Sequence, residues 1–261
     1  MSETEDHREV ALHDGGAIPI IGFGTWQLRG REAYEAVRYA LEVGYRHIDT
    51  AAAYGNESEV GRAVRESGLP REEIFITTKL PPENSGRERE TMRESLRHLG
   101  VDQVDLWLIH WPPGGNSGVE TWREFIKLNG EGRAAHIGVS NYSPAQVDEL
   151  IEATGTAPSV NQIKWSPFTH EPKRLAHSVE RGVVLEGYSP LKASRLGDPV
   201  LAEIAEAHEV SPAQVILRWH VEHEVVVIPR SSKRERISSN GDIFGFHLSP
   251  DEVARVDALT D

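Results

Sequence analysis

The feature that most constrains this chain is a rhythm. Eight short apolar runs recur along it, each separated from the next by a longer stretch of helical periodicity. The runs span residues 18–22, 46–49, 74–79, 104–110, 135–139, 159–162, 183–187 and 225–229. They are short, rich in Val and Ile and in several cases continuous, as expected of strands covered on both faces. Between them, Tyr34, Val37 and Leu41 share one helical face, as do Met92, Leu96 and Leu99. Val147, Leu150 and Ile151 form a third stripe, and Val253, Val256 and Leu259 a fourth. Ser143-Pro144 and Ser211-Pro212 read as helix starts, with a capping hydroxyl before a proline at the first helical position. Gly44, Gly68 and Gly100 stand where helices should stop.

Strands alternating with helices predict an α/β fold with a parallel sheet, either open or closed into a barrel. Ahead of the first unit, residues 10–12 and 17–20 flank His13-Asp14-Gly15-Gly16, a good hairpin turn. That hairpin is expected to cap the floor of a barrel. No Pro/Gly/Ser-rich linker interrupts the chain, so residues 1–261 read as a single domain. An open, doubly wound sheet binding a dinucleotide normally carries a GxGxxG turn after its first strand. Here the first strand runs into Gly22-Phe23-Gly24-Thr25-Trp26, which has neither that spacing nor an immediate helix. A (β/α)8 barrel gathers its chemistry from several strand ends on one face, and the polar residues of this chain collect at strand ends.

Composition narrows the function. The net charge of −13 argues against a general nucleic-acid binder, which needs clustered Lys and Arg. The acidic balance fits a well-solvated surface or adaptation to salt. The chain has no Cys, which removes disulfides, thiolate metal sites and cysteine nucleophiles. The segment 1–9 lacks the basic and apolar regions of a signal peptide, and no apolar run approaches a membrane span. A soluble, cytoplasmic location is expected.

Four ionisable residues fall at or just after successive strand ends. Asp49 ends the second strand and Tyr54 follows five residues later. Lys79 ends the third strand, and His110 ends the fourth after Leu106-Trp107-Leu108-Ile109. Singly, each has an ordinary structural use: an Asp as a turn residue, a Tyr as packing, a Lys reaching for solvent, a His in a satisfied core site. In a barrel, however, these three strand ends lie side by side, bringing the four residues over one mouth.

With these residues in view, the chain resembles the aldo-keto reductases of the compact prokaryotic type. The series runs from Gly-Phe-Gly-Thr-Trp through Gly-Tyr-Arg-His-Ile-Asp-Thr-Ala, Tyr-Gly-Asn-Glu, the strand-end Lys and Ile-His-Trp-Pro. It continues through Ile137-Gly138-Val139-Ser140-Asn141, Val160-Asn161-Gln162, Tyr188-Ser189-Pro190-Leu191 and Ile228-Pro229-Arg230-Ser231, covering residues 10–259 in order.

The resemblance implies a TIM barrel that reduces a small aldehyde or ketone with a nicotinamide cofactor, NADPH by preference. Tyr54, Lys79, Asp49 and His110 match the family's catalytic tetrad. In that scheme Tyr54 gives a proton to the substrate oxygen. The Lys79 ammonium is expected to bring the phenol's pKa down toward neutrality, Asp49 to hold Lys79, and His110 to orient the carbonyl.

The resemblance also marks Gly24, Thr25, Ser140, Asn141, Gln162, Tyr188, Ser189 and Leu191 as nicotinamide-side cofactor positions. Arg230, Ser231, Arg236 and Asn240 match the adenosine-phosphate segment, and Trp26 and Trp111 the pocket walls. The run Arg230-Ser231-Ser232-Lys233-Arg234-Glu235-Arg236, four cations in an acidic chain, supports a phosphate site on its own account. Arg230 stands where the family often has Lys, Ser239 where it often has Glu, and Lys164-Trp165-Ser166-Pro167 replaces a Glu/Tyr/His pattern. The short 110–122 and 188–198 connections and the little chain beyond 259 predict an open pocket. No metal and no macromolecular partner are expected, and a monomer is. The alternatives are a non-catalytic nicotinamide-binding regulator on the same scaffold, or a lyase using Lys79 as a Schiff-base amine.

Overall fold

The computed structural model describes residues 8–260. It opens with the expected hairpin: β1 (Glu9–Ala11) pairs antiparallel with β2 (Ala17–Pro19). Gly15 and Gly16 supply the left-handed turn at φ 103° and 69°, a backbone region that costs glycine little. Most of the segment 1–9, read above as carrying no signal peptide, lies outside the described residues.

Eight parallel strands follow: β3 (Phe23–Gly24), β4 (His47–Asp49), β5 (Phe75–Leu80), β6 (Val104–Ile109), β7 (Ala134–Ser140), β8 (Val160–Lys164), β9 (Val184–Tyr188) and β10 (Val226–Ile228). Each pairs with its sequence neighbour from β3 to β10. The ring closes where Val227 N donates to Ile20 O, Gly22 N to Val227 O and Gly24 N to Pro229 O, at 2.9–3.1 Å. This is a (β/α)8 barrel. The first barrel strand differs from its expected bounds of 18–22. Ile18 belongs to the hairpin, and the barrel segment runs from about Ile20 to Gly24. One continuous apolar stretch serves two sheets, so hydrophobicity alone does not divide it.

The helices pack outside the ring. They are α1 (Gly30–Glu42), α2 (Glu57–Arg65), α3 (Glu88–Leu99), α4 (Val119–Gly130), α5 (Pro144–Thr154), α6 (Pro172–Glu180), α7 (Pro199–Ala207), α8 (Pro212–Glu222), α9 (Arg234–Gly241) and α10 (Pro250–Asp257). Ser143 and Ser211 each cap through their hydroxyl, completed by a Gln three residues on. Ser249 does the same with Glu252. Gly100 ends α3 in the left-handed conformation expected of it.

The hairpin plugs the amino-terminal end of the barrel. Ile18 and Leu12 are buried against Phe75, Leu106, Leu108, Val160 and Val226. At the turn, Asp14 accepts from Ser159 Oγ at 2.6 Å and sits 3.0 Å from His136 Nδ1. His136 and Ser159 bring the Asp14 carboxyl below its usual pKa despite the opposing effect of burial, so an anion ties the plug to β7 and the start of β8. With the floor closed by these residues, the carboxyl-terminal rim is the open end of the barrel.

Candidate active site

At that rim, strand register sets the site. Gly24 lies opposite Asp49 across β3–β4, Asp49 opposite Thr77 across β4–β5, and Lys79 opposite Leu108 across β5–β6. His110 directly follows β6 and donates its backbone N–H to Leu80 O. Asp49, Lys79 and His110 therefore come from three adjacent strands, as their positions in sequence predict. Tyr54 enters from the loop after β4, a tight turn (Ala52–Tyr54) ended by Gly55 at φ 65°. Asn56 anchors this loop. Its amide donates to Thr25 O and Leu28 O, and its carbonyl accepts from Thr50 Oγ1.

Lys79 and Asp49 form an ion pair inside the barrel. Nζ donates to Asp49 Oδ2 at 2.6 Å and to Thr50 O at 2.8 Å, and Gln162 Nε2 reaches the same Oδ2 at 2.8 Å. Burial pushes the Lys79 pKa down, and the Asp49 charge above all outweighs it, so the amine is held above its ordinary pKa as an ammonium. It lies 5.2 Å from the centre of the Tyr54 ring, and that ring meets His110 edge-on at 5.6 Å.

Lys79 does lower the Tyr54 pKa, but the expectation that this brings the phenol down toward neutrality requires correction. Burial raises the phenol most, Lys79 pulls it back, Asp49 pushes it up again, and the net direction is upward. Tyr54 is held as a neutral hydroxyl, with the ammonium placed to stabilise the phenolate once a proton leaves. His110 falls to about 3 through burial and the nearby Lys79, so it is a neutral imidazole near pH 7.

Above these groups opens a cavity of about 640 Å3, within the ordinary range for small-molecule sites. Asp49, Tyr54 and His110 reach it from below. Trp26 and Trp111, 44% and 49% exposed, stand at its walls. Gly24, Ser140, Asn141, Gln162, Tyr188, Ser189, Leu191 and Arg230 also line it. Asn141, in a left-handed conformation at φ 65°, joins these groups: its amide donates to His110 O and Ser140 Oγ and accepts from Tyr188 OH.

Other expected positions lie outside the cavity. Thr25 is fully buried, with its hydroxyl on Asp49 O, so it braces β3 against β4. Ser231, Arg236 and Asn240 sit on the segment from β10 into α9, away from the cavity lining; Arg236 is exposed and Asn240 buried. Of the basic run, Arg230 alone reaches the cavity.

Two features lay outside the sequence reading. Lys192 lines the cavity and places its ammonium 5.1 Å over the Trp26 ring. Glu186 is fully buried beneath the site, 3.7 Å from His47 Nε2, and neither carboxylate oxygen completes a hydrogen bond. Burial and the Asp49 charge push it up to about 8, against smaller opposing effects from Gln162 and Lys79. A charged residue inside an apolar strand run was the available signal.

A closed parallel barrel with a buried Lys–Asp pair, a phenol and a neutral imidazole below its rim cavity defines a barrel enzyme. The chain belongs to the aldo/keto reductase family, whose model matches residues 20–261. It is an oxidoreductase of the carbonyl-reducing kind. An aldo-keto reductase from Mycolicibacterium smegmatis is 45% identical over 254 residues, covering 96% of this chain and 92% of that protein. Morphine 6-dehydrogenase from Pseudomonas putida is 42% identical over 267 residues, covering 96% and 90%. The crystal structure of an aldo/keto reductase from Brucella melitensis is 44% identical, with a TM-score of 0.93 and coverage of 96% and 98%.

Proposed function

We propose that this protein reduces a small aldehyde or ketone to the alcohol, with NADPH preferred over NADH and Tyr54 as the proton donor. The observation that carries the reading is the convergence of Tyr54 and His110 at the cavity base, backed by the buried Lys79–Asp49 pair. The lining suits a nicotinamide cofactor: Ser140, Asn141 and Gln162 offer amide and hydroxyl groups near the flat Tyr188 ring, and Arg230 offers a cation at the mouth. Gly24 keeps the cleft open beside β10, since a Cβ there would sit 3.1 Å from Ile228 O. When bound, a nicotinamide cofactor supplies the hydride that reaches the carbonyl carbon.

The chain's own part is the oxygen. Charge builds on the carbonyl oxygen as its π bond breaks, and a hydrogen bond from neutral His110 orients and stabilises it. Tyr54 OH passes its proton to that oxygen, leaving a phenolate beside the Lys79 ammonium. Asp49 and Thr50 O keep Lys79 charged and in place. Trp26 and Trp111 wall the pocket, and the open cavity favours short aldehydes, 2-oxoaldehydes or keto-sugars.

A panel of such carbonyls assayed with NADPH and with NADH, followed by loss of reduced-nicotinamide absorbance, tests the reading. Turnover with several aldehydes, faster with NADPH at limiting cofactor, is expected. Cofactor binding without turnover across the panel would make the chain a non-catalytic binder. Borohydride trapping of substrate on Lys79 would make it a Schiff-base lyase.

A further inference from the structure

Where the last helix meets the barrel wall, two imidazoles and a carboxylate converge. His170 follows the turn Pro167–Thr169 after β8, His223 caps the end of α8, and Asp257 ends α10. One ligand atom from each lies within 4.8 Å of the other two. Asp257 Oδ1 is 2.8 Å from His223 Nε2 and 3.6 Å from His170 Nδ1. Ligand atoms around tetrahedral zinc stand roughly 3.3 Å apart, given metal–ligand bonds of about 2.0–2.1 Å. The triad brackets that spacing, so modest side-chain rotations bring it to bonding geometry.

We propose that His170, His223 and Asp257 bind a divalent metal ion of the zinc type, with water as the fourth ligand, and that the ion clasps α10 to the barrel. Four observations support the site. First, His170 stops too far from Asp257 for a hydrogen bond. Its ring is held edge-on between Trp165 at 5.4 Å and Trp219 at 5.3 Å, which aims it without satisfying it.

Second, Trp219 Nε1 donates to Asp257 Oδ1 at 2.7 Å, the kind of outer hydrogen bond that orients a ligating carboxylate. On metal binding His223 Nε2 changes from donor to ligand, its proton passing to Nδ1, while the indole contact persists. Third, Asp257 is the last residue of α10, where the helix dipole disfavours an anion and a cation compensates. Fourth, two imidazoles with one carboxylate suit zinc-like ions, whereas Mg2+ and Ca2+ call for oxygen ligands. Neighbouring His220 is not a ligand: its ring nitrogens face Ile216 O and Trp165 O. None of the three ligands lines the reductase cavity, so the site is separate from the carbonyl chemistry.

The test uses the full chain without an affinity tag, stripped with a chelator and titrated with Zn2+ in a calorimeter. One equivalent is expected to bind, and Zn2+ at about a hundredfold its Kd should raise Tm by about 5–10 °C, with Mg2+ having no such effect. Asp257→Asn keeps size and the indole bond. It and His223→Gln should each weaken Zn2+ at least about tenfold and abolish the Tm shift, while His110→Gln should not. Metal-free melting of each variant reports its folding separately. Should both variants fail to fold, Co2+ added to the wild-type chain decides. Intense visible bands of a four-coordinate ion support the site, and a spectrum like that of hydrated Co2+ overturns it. Absence of Zn2+ binding, or binding lost in His110→Gln but kept in Asp257→Asn, also overturns it and leaves a hydrogen-bonded clasp.

Discussion

Lys79 Nζ donates to Asp49 Oδ2 at 2.6 Å in the barrel interior, with neither side chain more than 2% exposed. Breaking one side of such a pair strands a buried charge, which typically costs about 3–5 kcal/mol, whereas a neutral isostere costs less. Lys79→Met is therefore expected to lower stability by about that amount and to leave almost no carbonyl reduction. Asp49→Asn should lose less of both, because the Asn amide oxygen can still accept from Lys79 and the bond to Thr50 O remains, although the amine loses the charge that most raises its pKa. Urea unfolding alongside steady-state rates checks this. A larger loss of activity in Asp49→Asn than in Lys79→Met contradicts the division of roles.

Glu186 beneath that pair gives a pH signature. Its folded pKa of about 8 exceeds the unfolded value near 4.3. Between those values the folded state holds a proton that the unfolded chain has released, so this group's contribution to stability falls as pH rises. Glu186→Gln removes the titration. Its Tm relative to wild type should climb between pH 5 and pH 9 by several degrees, at roughly 2–4 °C per kcal/mol. His47 nearby, lowered to about 3 by burial and Lys79, works in the opposite sense below about pH 6.5 and is common to both proteins. A Tm difference that stays flat across the range contradicts the buried neutral acid.

Arg230 is exposed at the cavity mouth, with a long 3.5 Å approach to Gln27, which leaves its guanidinium free to turn toward a phosphate. A charge-assisted contact contributes about 1.5–3 kcal/mol, or roughly ten- to hundredfold in affinity. Arg230→Gly should raise the KM for NADPH by about that factor and the KM for NADH little. Equal changes for both cofactors would show that Arg230 does not read the 2′-phosphate.

The hairpin plug predicts a stability effect remote from the chemistry. Ile18 is fully buried on the barrel floor, and truncation to Ala should cost about 2–5 kcal/mol. Turnover well below the melting temperature should stay near wild type. A proportionate loss of kcat would mean that the floor also shapes the site.

The barrel was legible because its strands are buried on both faces, so continuous runs such as 106–109 stand out from amphipathic helices. Asp49, Lys79 and His110 were legible for a related reason: each has an ordinary structural use alone, but polar residues ending three successive apolar runs meet over one barrel mouth. What stayed hidden depends on three-dimensional neighbours. Residues 18–24 are apolar throughout, and only pairing with β10 divides hairpin from barrel. Thr25 matches a cofactor motif, yet its hydroxyl turns inward to Asp49 O. The direction of the Tyr54 pKa depends on burial outweighing Lys79, a balance that residue spacing does not reveal. His170, His223 and Asp257 lie up to 87 residues apart in sequence and meet only through the packing of α8 and α10.

The proton donor is the centre of the account. The most direct measurement compares wild type with Tyr54→Phe in aldehyde reduction, with cofactor affinity measured on the same samples by quenching of protein fluorescence. The substitution removes a proton and little volume, and general acids contribute about 10²–10⁴-fold. The account predicts a fall in kcat of that size with cofactor affinity nearly unchanged. Wild-type turnover in Tyr54→Phe would contradict it.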